Sequence, residues 1–483
     1  MFNSIKRLTK HSLIYGIGHI MSRFIGFLLL PIHTNMLPPE AYGTAALLFS
    51  SLAILNIIFS YGMDVAFLRF FALEENHQKK QTIFSTAFWM ILGTGFVFSM
   101  ILIFKPTLFS QWIFREPSFA ILVRLAAGIL LADALALVPF LVLRSEEKSI
   151  AFVTIKSANI VLNVVLNIIF IGLLKQGVTG VFYANLFASA ATLVLLFPVC
   201  AHWFRFRFDK FVLSELLKFG LPYIPSGLAV VIMDQIGRFF LDRMAGKEAT
   251  GLFSATYKLG MFMALVVAAF RFAWHPFFLA TSKQPDAKAI FSRILTYFLI
   301  ATGAFFLAIT FFLDQIIHFQ LFGFRLFGAG YEGGAPIVPI ILLAYICYGV
   351  YINFIVGIYI EKKTGYLPFV TGLGALVSIA CNFLLIPQFG IIGAAWASFA
   401  AYLAMAVSLY FVSHRFYPIQ YEFKRVLLLG LIIGGIYWLG THVVTHWILH
   451  VVLLLLIGPF LWAARFLHES EKIKIKQLLK IKP

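Results

Sequence analysis

Long apolar stretches alternate with short polar segments along almost the whole chain. A stretch of roughly 20 apolar residues is long enough to cross a bilayer as an α-helix. The first stretch has no small-residue cleavage site, so we expect a membrane span there and not a cleaved signal. The pattern predicts an all-α integral membrane protein with about fourteen spans, near residues 11–33, 42–68, 84–104, 118–141, 150–172, 178–203, 214–241, 249–279, 290–318, 333–360, 365–386, 389–412, 425–445 and 448–467.

The composition agrees with this prediction. Hydrophobic residues make up 61% of the chain and charged residues 12%, about half the charged share of a soluble domain. The net charge of +18 comes from basic clusters between the apolar stretches. That distribution is typical of membrane topology and anionic-lipid contact, and we expect no nucleic-acid partner.

Neither a metal nor a cofactor is expected. Cys200, Cys347 and Cys381 lie in apolar surroundings without CxxC spacing, which argues against a disulfide framework and a zinc site. His442, His446 and His450 repeat every four residues, and we interpret them as polar residues at the membrane interface.

Lysine and arginine are distributed unevenly between alternate segments. With a cytoplasmic N-terminus, the segments on the cytoplasmic side hold most of the 38 basic residues, among them Arg144, Lys148 and Lys156. Retention of basic loops in the cytoplasm predicts this bias. We therefore expect both termini in the cytoplasm and an even number of spans.

Two parts of the chain resemble each other. Leu8, Lys10, Ala41 and Gly43 recur 208 positions later as Leu216, Lys218, Ala249 and Gly251. Parallel repeats are typical of transporters, with the substrate path between the halves, although a chance match in apolar sequence remains an alternative. The predicted division is an N-terminal lobe (1–205), a C-terminal lobe (206–416), an added helical pair (417–467) and a basic cytoplasmic tail (468–483).

Several segments resemble a known family. They are LTKHSLIYGIGHIMSRFIGFLLLPIHTNMLPPEAYGTAALL at 8–48, SYGMDVAFLRFFA at 60–72 and MDQIGRFFLDRMAGKEATGLFSATYKLG at 233–260. GVTGVFYANLFAS at 177–189 and GIIGAAWASFAA at 390–401 match the family's helix openings. The sequence is similar to the oligosaccharide-lipid (O-antigen or capsule repeat-unit) flippases of the multidrug/oligosaccharidyl-lipid/polysaccharide (MOP) exporter superfamily. Phe253 replaces the more usual tyrosine.

The resemblance implies a fold and a function. The fold would be that of multidrug and toxin extruders, with two six-helix lobes around a V-shaped cavity and two added C-terminal helices. The function would be alternating-access transport of an undecaprenyl-pyrophosphate-linked oligosaccharide to the outer leaflet of the bacterial inner membrane. The implied partners are that lipid-linked oligosaccharide, membrane lipids and a downstream polymerase.

Five cations fall within the predicted spans, where each costs roughly 2.5–3.5 kcal/mol to insert near the centre of a helix. We interpret Arg124 as a snorkelling residue. The resembled fold places the other four in the cleft, where they would bind a pyrophosphate, with His275 joining them or capping its span. The predicted substrate-binding residues are Arg23, Arg238, Lys258, Arg271 and His275.

Two acids within the spans, Asp133 and Asp234, are candidates for ion coupling. Asp234 and Arg238 are spaced i,i+4, so a structural salt bridge between them remains an alternative. Gly220 to Gly227 contains two prolines and predicts a kink in the seventh span.

Two other functions remain open. A cation-coupled drug exporter of the same superfamily is disfavoured by a cationic cavity, because cationic drugs need acids. A membrane glycosyltransferase or polymerase would need a carboxylate-bearing loop, and the longest outer loop is predicted to have about a dozen residues without Asp-x-Asp. The chain has no Walker phosphate loop, which excludes ATP hydrolysis as the driving reaction.

Overall fold

Apolar segments in this chain form helices because a backbone in lipid must satisfy its hydrogen bonds internally. The computed structural model describes residues 27–321, 323–444, 446–463 and 466. Arg23, most of the first predicted span and the tail 468–483 lie outside the described residues.

The first half of the chain contains eight helices among these residues. They are α1 (27–36), α2 (Pro39–Ser60), α3 (Met63–Leu73), α4 (His77–Phe104), α5 (Pro106–Phe114), α6 (Ala120–Ser145), α7 (Ser149–Asn167, continued by a π-helical turn, Ile168–Leu173) and α8 (Gly177–Trp203).

The second half begins with α9 and contains two long helices that are each broken at a glycine. The elements are α9 (Lys210–Gly220), α10 (Ile224–Thr281), α11 (Ala287–Phe311), α12 (Leu313–His318), α13 (Ile337–Ile360), α14 (Leu367–Phe416), α15 (Phe423–His442), α16 (Trp447–Leu455), α17 (Ile457–Ala463) and a hairpin of β1 (Gln320–Leu321) and β2 (Phe324–Arg325). Gly246 (φ 89°) divides α10 into α10a (224–245) and α10b (247–281), and Gly390 (φ 53°) divides α14 into α14a (367–389) and α14b (391–416).

The helices confirm the predicted multi-pass membrane protein. Ten of those within the described residues are long and apolar enough to span a membrane, and two of them, α10 and α14, are each divided into two helical segments. The predicted kink is also present, because a 3₁₀ turn at Leu221–Tyr223 separates α9 from α10.

Three predicted spans differ from the structure. The span near 448–467 is divided into two short helices, α16 and α17. The span near 42–68 is interrupted at Tyr61 and Gly62, which adopt left-handed backbone conformations (φ 32° and 76°). The span near 290–318 ends at Phe311, and residues 312–336 form a long connection. The prediction of a longest outer loop of about a dozen residues was therefore wrong.

The helical bundle has two ends, which carry different connections between helices. The basic end carries the connections α6–α7, α8–α9 and α10–α11, and the opposite end carries α5, Gly246 and the connection 312–336. Helix α10 packs along α2, α13 and α14, whereas α6 packs against α4 and α8. The α2–α10 contact therefore joins the first half of the chain to the second.

Glycine pairs bring the two halves into backbone contact at both ends. At the opposite end, a Cβ on Gly43 would lie 2.0 Å from the Lys247 carbonyl oxygen, and one on Gly251 would lie 1.9 Å from that of Pro39. At the basic end, a Cβ on Gly62 would lie 2.1 Å from the Gly220 carbonyl oxygen. Only glycine permits such approaches, so the backbones of the two halves are in close contact near both ends.

Candidate functional site

Two polar cavities lie inside the helical bundle. The asparagine cavity, of about 370 Å³, lies among α1, α2, α7, α8 and α10. Its polar lining consists of His33, Tyr42, Ser50, Asn159, Asn163, Asn167, Asn185, Gln235, Arg238, Ser254 and Lys258.

The charged cavity is larger, about 710 Å³, and lies closer to the basic end. Its lining includes both acidic and basic side chains, namely Asp64, Asp133, Arg144, Lys156 and Arg271. Asn159 and Asn185 line both cavities, so the cavities adjoin at these two side chains. Together they form a polar interior in a protein whose outer surface faces lipid.

Arg238 is held in the wall of the asparagine cavity by α10a itself. Its side chain is only 9% exposed, and Nη1 donates to the Asp234 carbonyl oxygen (2.6 Å) and to Gln235 Oε1 (3.0 Å). The guanidinium carbon lies 4.9 Å from the centre of the Tyr257 ring. Both hydrogen bonds use Nη1. The N–H groups of Nη2 and Nε have no hydrogen-bond acceptor within the described residues and can donate to a bound anion.

The possible salt bridge between Arg238 and Asp234 does not occur among the described residues. Arg238 donates to the backbone of Asp234, whose carboxylate instead accepts a hydrogen bond from the Tyr402 hydroxyl of α14b. Asp234 lines neither cavity and faces a group of tyrosines, in which the Tyr257 and Tyr345 hydroxyls are 3.1 Å apart.

Lys258 of α10b lines the same cavity as Arg238. Its ammonium nitrogen lies 5.4 Å from the centre of the Tyr42 ring, a cation–π contact with α2. No carboxylate belongs to the lining of this cavity within the described residues. The charged side chains in the described lining are thus both basic, which suits an anion.

Arg271 and His275 occupy different surroundings. Arg271 lines the charged cavity, and its Nη1 donates to the Tyr348 hydroxyl (3.4 Å). His275 lines neither cavity, and its ring packs against Phe278 and Tyr359 at 5.4 and 5.5 Å between centroids. The predicted cations thus lie in two adjoining cavities, with Arg238 and Lys258 in one and Arg271 in the other, while Arg23 lies outside the described residues.

Asp133 lies in the charged cavity with a basic partner that the sequence analysis missed. Ser189 Oγ donates to Asp133 Oδ1 (2.8 Å), and Lys156 is near enough for electrostatic attraction. The Lys156 ammonium nitrogen is 4.3 Å from the centre of the Phe140 ring. The distribution of basic residues predicts a cytoplasmic segment for Lys156, but it is the eighth residue of α7 and lines the charged cavity. A buried acid such as Asp133 requires a compensating group nearby. This requirement is the feature of the sequence that could have predicted a basic partner for Asp133.

An ion pair connects the two halves at the opposite end. Lys247, which directly follows the break at Gly246, pairs with Glu116 from the connection before α6. The hydrogen bond from Lys247 lowers the pKa of the Glu116 carboxyl below its usual value. The Lys247 ammonium nitrogen also lies 4.9 Å from the centre of the Phe119 ring. This pair stands directly beside the Gly43–Gly251 contact.

Comparison with known proteins identifies the family. Residues 8–282 match the sequence model of the family described as "Polysaccharide biosynthesis protein". "Lsg locus putative protein 1" of Haemophilus influenzae is 22% identical over 293 residues, which are 58% of this chain and 67% of that protein.

Solved transporter structures share the fold. Lipid II flippase MurJ in an inward closed conformation superposes with a TM-score of 0.75 at 14% identity, covering 94% of this chain and 99% of that chain. An inward-facing multidrug resistance MATE family transporter of the MOP superfamily superposes with a TM-score of 0.62 at 17% identity, covering 85% and 96%. The family match covers more than half of the chain, and with the shared fold it shows that this multi-pass membrane protein belongs to the polysaccharide biosynthesis protein family and has the fold of MOP-superfamily flippases and transporters.

Proposed function

We propose that this protein is a flippase that moves an undecaprenyl-pyrophosphate-linked oligosaccharide repeat unit across the bacterial inner membrane. The observation that carries this proposal is that Arg238 and Lys258 line the same cavity, whose described lining contains no carboxylate. Cations are costly inside a membrane protein, and two of them in the lining of one cavity support a site for an anion. Arginine also matches phosphate oxygens with two parallel hydrogen bonds.

A drug exporter of the same fold is the second candidate. Cationic drugs require acidic side chains. In the described lining of the two polar cavities, the acids are Asp64 and Asp133, which lie in the charged cavity beside Arg144, Lys156 and Arg271. The basic side chains there outnumber the acidic ones. The chemistry of both cavities therefore favours an anionic substrate.

An enzyme that uses the same lipid donor is the third candidate. The long connection 312–336 provides carboxylates at Asp314 and Glu332. Both lie within ion-pair distance of His318, at 3.2 and 3.4 Å, and Glu332 also approaches Arg325 at 3.6 Å. Carboxylates held in such surface pairs support a structural role for this connection, in line with a transporter that has no enzymatic activity.

We propose a cytoplasmic location for the basic end and for both termini. The bias of lysine and arginine toward this end supports the assignment. Reporter fusions after Lys175 and Ala245 are expected to report the periplasm, and fusions after Glu147 and Ser282 the cytoplasm. A cytoplasmic signal at Lys175 or Ala245 contradicts the orientation.

We propose that the lobes 1–205 and 206–416 alternate their access to the two leaflets. The pyrophosphate would enter at Arg271, in the charged cavity near the cytoplasm, and pass to Arg238 and Lys258. Arg23 and His275 are proposed to join this path, with His275 one turn beyond Arg271 on α10b. Sharing the anion among several cations prevents any single state from trapping it.

Removing a cation at either end of this path is expected to impair transport. The Arg23→Ala and Arg271→Ala variants should deliver at least roughly tenfold less glycan to the cell surface at normal protein abundance, because charged hydrogen bonds contribute about 1.5–3 kcal/mol each. Arg→Lys variants, which keep the charge but lose the two-pronged geometry, should retain part of the transport. Normal delivery in both alanine variants, with normal abundance, would refute the cationic path.

Asp133 and Asp234 are proposed as sites of ion coupling. In proteoliposomes, a Na⁺ or H⁺ gradient is expected to stimulate transport, and Asp133→Asn or Asp234→Asn should abolish the stimulation while leaving gradient-independent exchange. Asp286→Asn, at an exposed position in the α10–α11 connection, is the matched control. Undiminished stimulation in both variants contradicts a coupling role.

A further inference from the structure

Helix α7 presents a ladder of amide side chains to the interior. Asn159, Asn163 and Asn167 are spaced four residues apart and therefore share one face of the helix. All three line the asparagine cavity, and Asn185 of α8 joins them. Arg238 and Lys258 reach the same cavity from α10, so the amides and the cations belong to different walls.

After the hydrogen bonds of the ladder are formed, both donors and acceptors remain without a protein partner within the described residues. Asn167 Nδ2 donates to Asn163 Oδ1 (2.8 Å), and His33 Nε2 donates to Asn167 Oδ1 (2.9 Å). Asn159 Nδ2 donates to the Ala188 carbonyl oxygen and to Thr192 Oγ1, at 3.0 and 2.8 Å. Within the part of the chain that the structure describes, Asn159 Oδ1, Asn163 Nδ2 and both polar atoms of Asn185 have no protein partner.

Such groups are costly in a membrane interior unless a ligand or water satisfies them. A pyrophosphate accepts hydrogen bonds and offers none, so it leaves an acceptor such as Asn159 Oδ1 unsatisfied. A sugar offers hydroxyl groups that both donate and accept, which matches the alternation along the ladder. Phe49 also lines the cavity, is 36% exposed and has its ring centroid 4.9 Å from that of Phe182. Its ring adds an aromatic surface for the apolar face of a sugar ring.

We propose that the α7–α8 wall binds the sugar attached directly to the pyrophosphate, while Arg238 and Lys258 bind the pyrophosphate itself. The inference rests on the flippase function proposed above and assigns a separate subsite to the uncharged part of the substrate. The volume of about 370 Å³ lies within the range of ordinary ligand pockets, roughly 300–1,000 Å³. Further sugars of a longer unit extend past Asn159 and Asn185 into the charged cavity.

Binding measurements on the full-length protein in lipid nanodiscs test this assignment. The probes are undecaprenyl pyrophosphate without sugar, the same lipid carrying one N-acetylglucosamine, and the same lipid carrying one galactose. We expect the wild type to bind at least one glycosylated probe roughly tenfold more tightly than the bare lipid, as two or three added hydrogen bonds predict. Asn163→Leu and Asn185→Leu are each expected to reduce that preference about threefold to tenfold. The affinity of each variant for the bare lipid is measured as well, so that the preference is compared within one variant.

Thr154→Leu is the matched control, because Thr154 is exposed on α7 and lines neither cavity. If a leucine variant does not fold, the smaller Asn163→Ala and Asn185→Ala carry the same expectation. A wild type that binds all three probes equally, or a preference that survives in both asparagine variants, overturns the sugar subsite and leaves the flippase proposal intact. Failure of the wild type to bind even the bare lipid overturns the flippase proposal itself.

Discussion

Replacing Arg238 with alanine is expected to reduce delivery of glycan to the cell surface by about 10- to 100-fold. The change removes the N–H groups that face the asparagine cavity, and hydrogen bonds to a charged partner contribute roughly 1.5–3 kcal/mol. It also halves the positive charge of a cavity whose described lining contains no compensating acid. Delivery is measured by surface labelling of the glycan and divided by the amount of membrane-inserted protein.

Two further variants separate binding from folding. Arg238→Lys keeps the charge but cannot form two parallel hydrogen bonds, so it should transport at an intermediate rate. Arg243→Ala removes an exposed arginine five residues further along the same helix and should leave delivery unchanged. If Arg238→Ala lowers delivery only in proportion to its abundance, Arg238 is structural and the anion site is wrong.

Adding a single methyl group at Gly43 is expected to prevent closure of the opposite end. The Cβ of Gly43→Ala would lie 2.0 Å from the Lys247 carbonyl oxygen, far inside contact distance, and both groups belong to helix backbones that cannot rotate away. Separating these backbones also separates Glu116 from Lys247. The lobes should therefore stay open at this end, and transport should fall by at least roughly tenfold, because an alternating-access cycle needs every closed state.

The accessibility of the asparagine cavity provides the measurement. In a background without native cysteines, Ser254→Cys lines the cavity and should react faster with a membrane-impermeant thiol reagent when Gly43 is alanine. Gly93→Ala is the control, because a Cβ at Gly93 of α4 meets no atom of the described residues within 4 Å. Unchanged reactivity together with normal transport in the Gly43 variant would show that the glycine contact does not control access.

The sequence by itself determined the membrane helices and the family. A span is a local property, since lipid requires a long apolar run whose backbone bonds are satisfied within the segment. The predicted segments near 178–203 and 333–360 thus correspond to α8 (Gly177–Trp203) and α13 (Ile337–Ile360), with ends shifted by a few residues. Motifs such as the segment at 8–48 identified the family for the same reason, because they are read directly from neighbouring residues.

Only the tertiary structure decided which charged and polar groups meet. The i,i+4 spacing allowed Asp234 to pair with Arg238. Instead, the hydroxyl of Tyr402, which is 168 residues away, donates a hydrogen bond to the Asp234 carboxylate. Lys156 became the partner of Asp133 because α7 packs beside α6 and α8. The distribution of the predicted cations over two cavities, and the amide ladder opposite α10, depend in the same way on which helices are neighbours. Helix packing in lipid is set by small contact surfaces such as the Gly43–Gly251 approach, which no local pattern specifies.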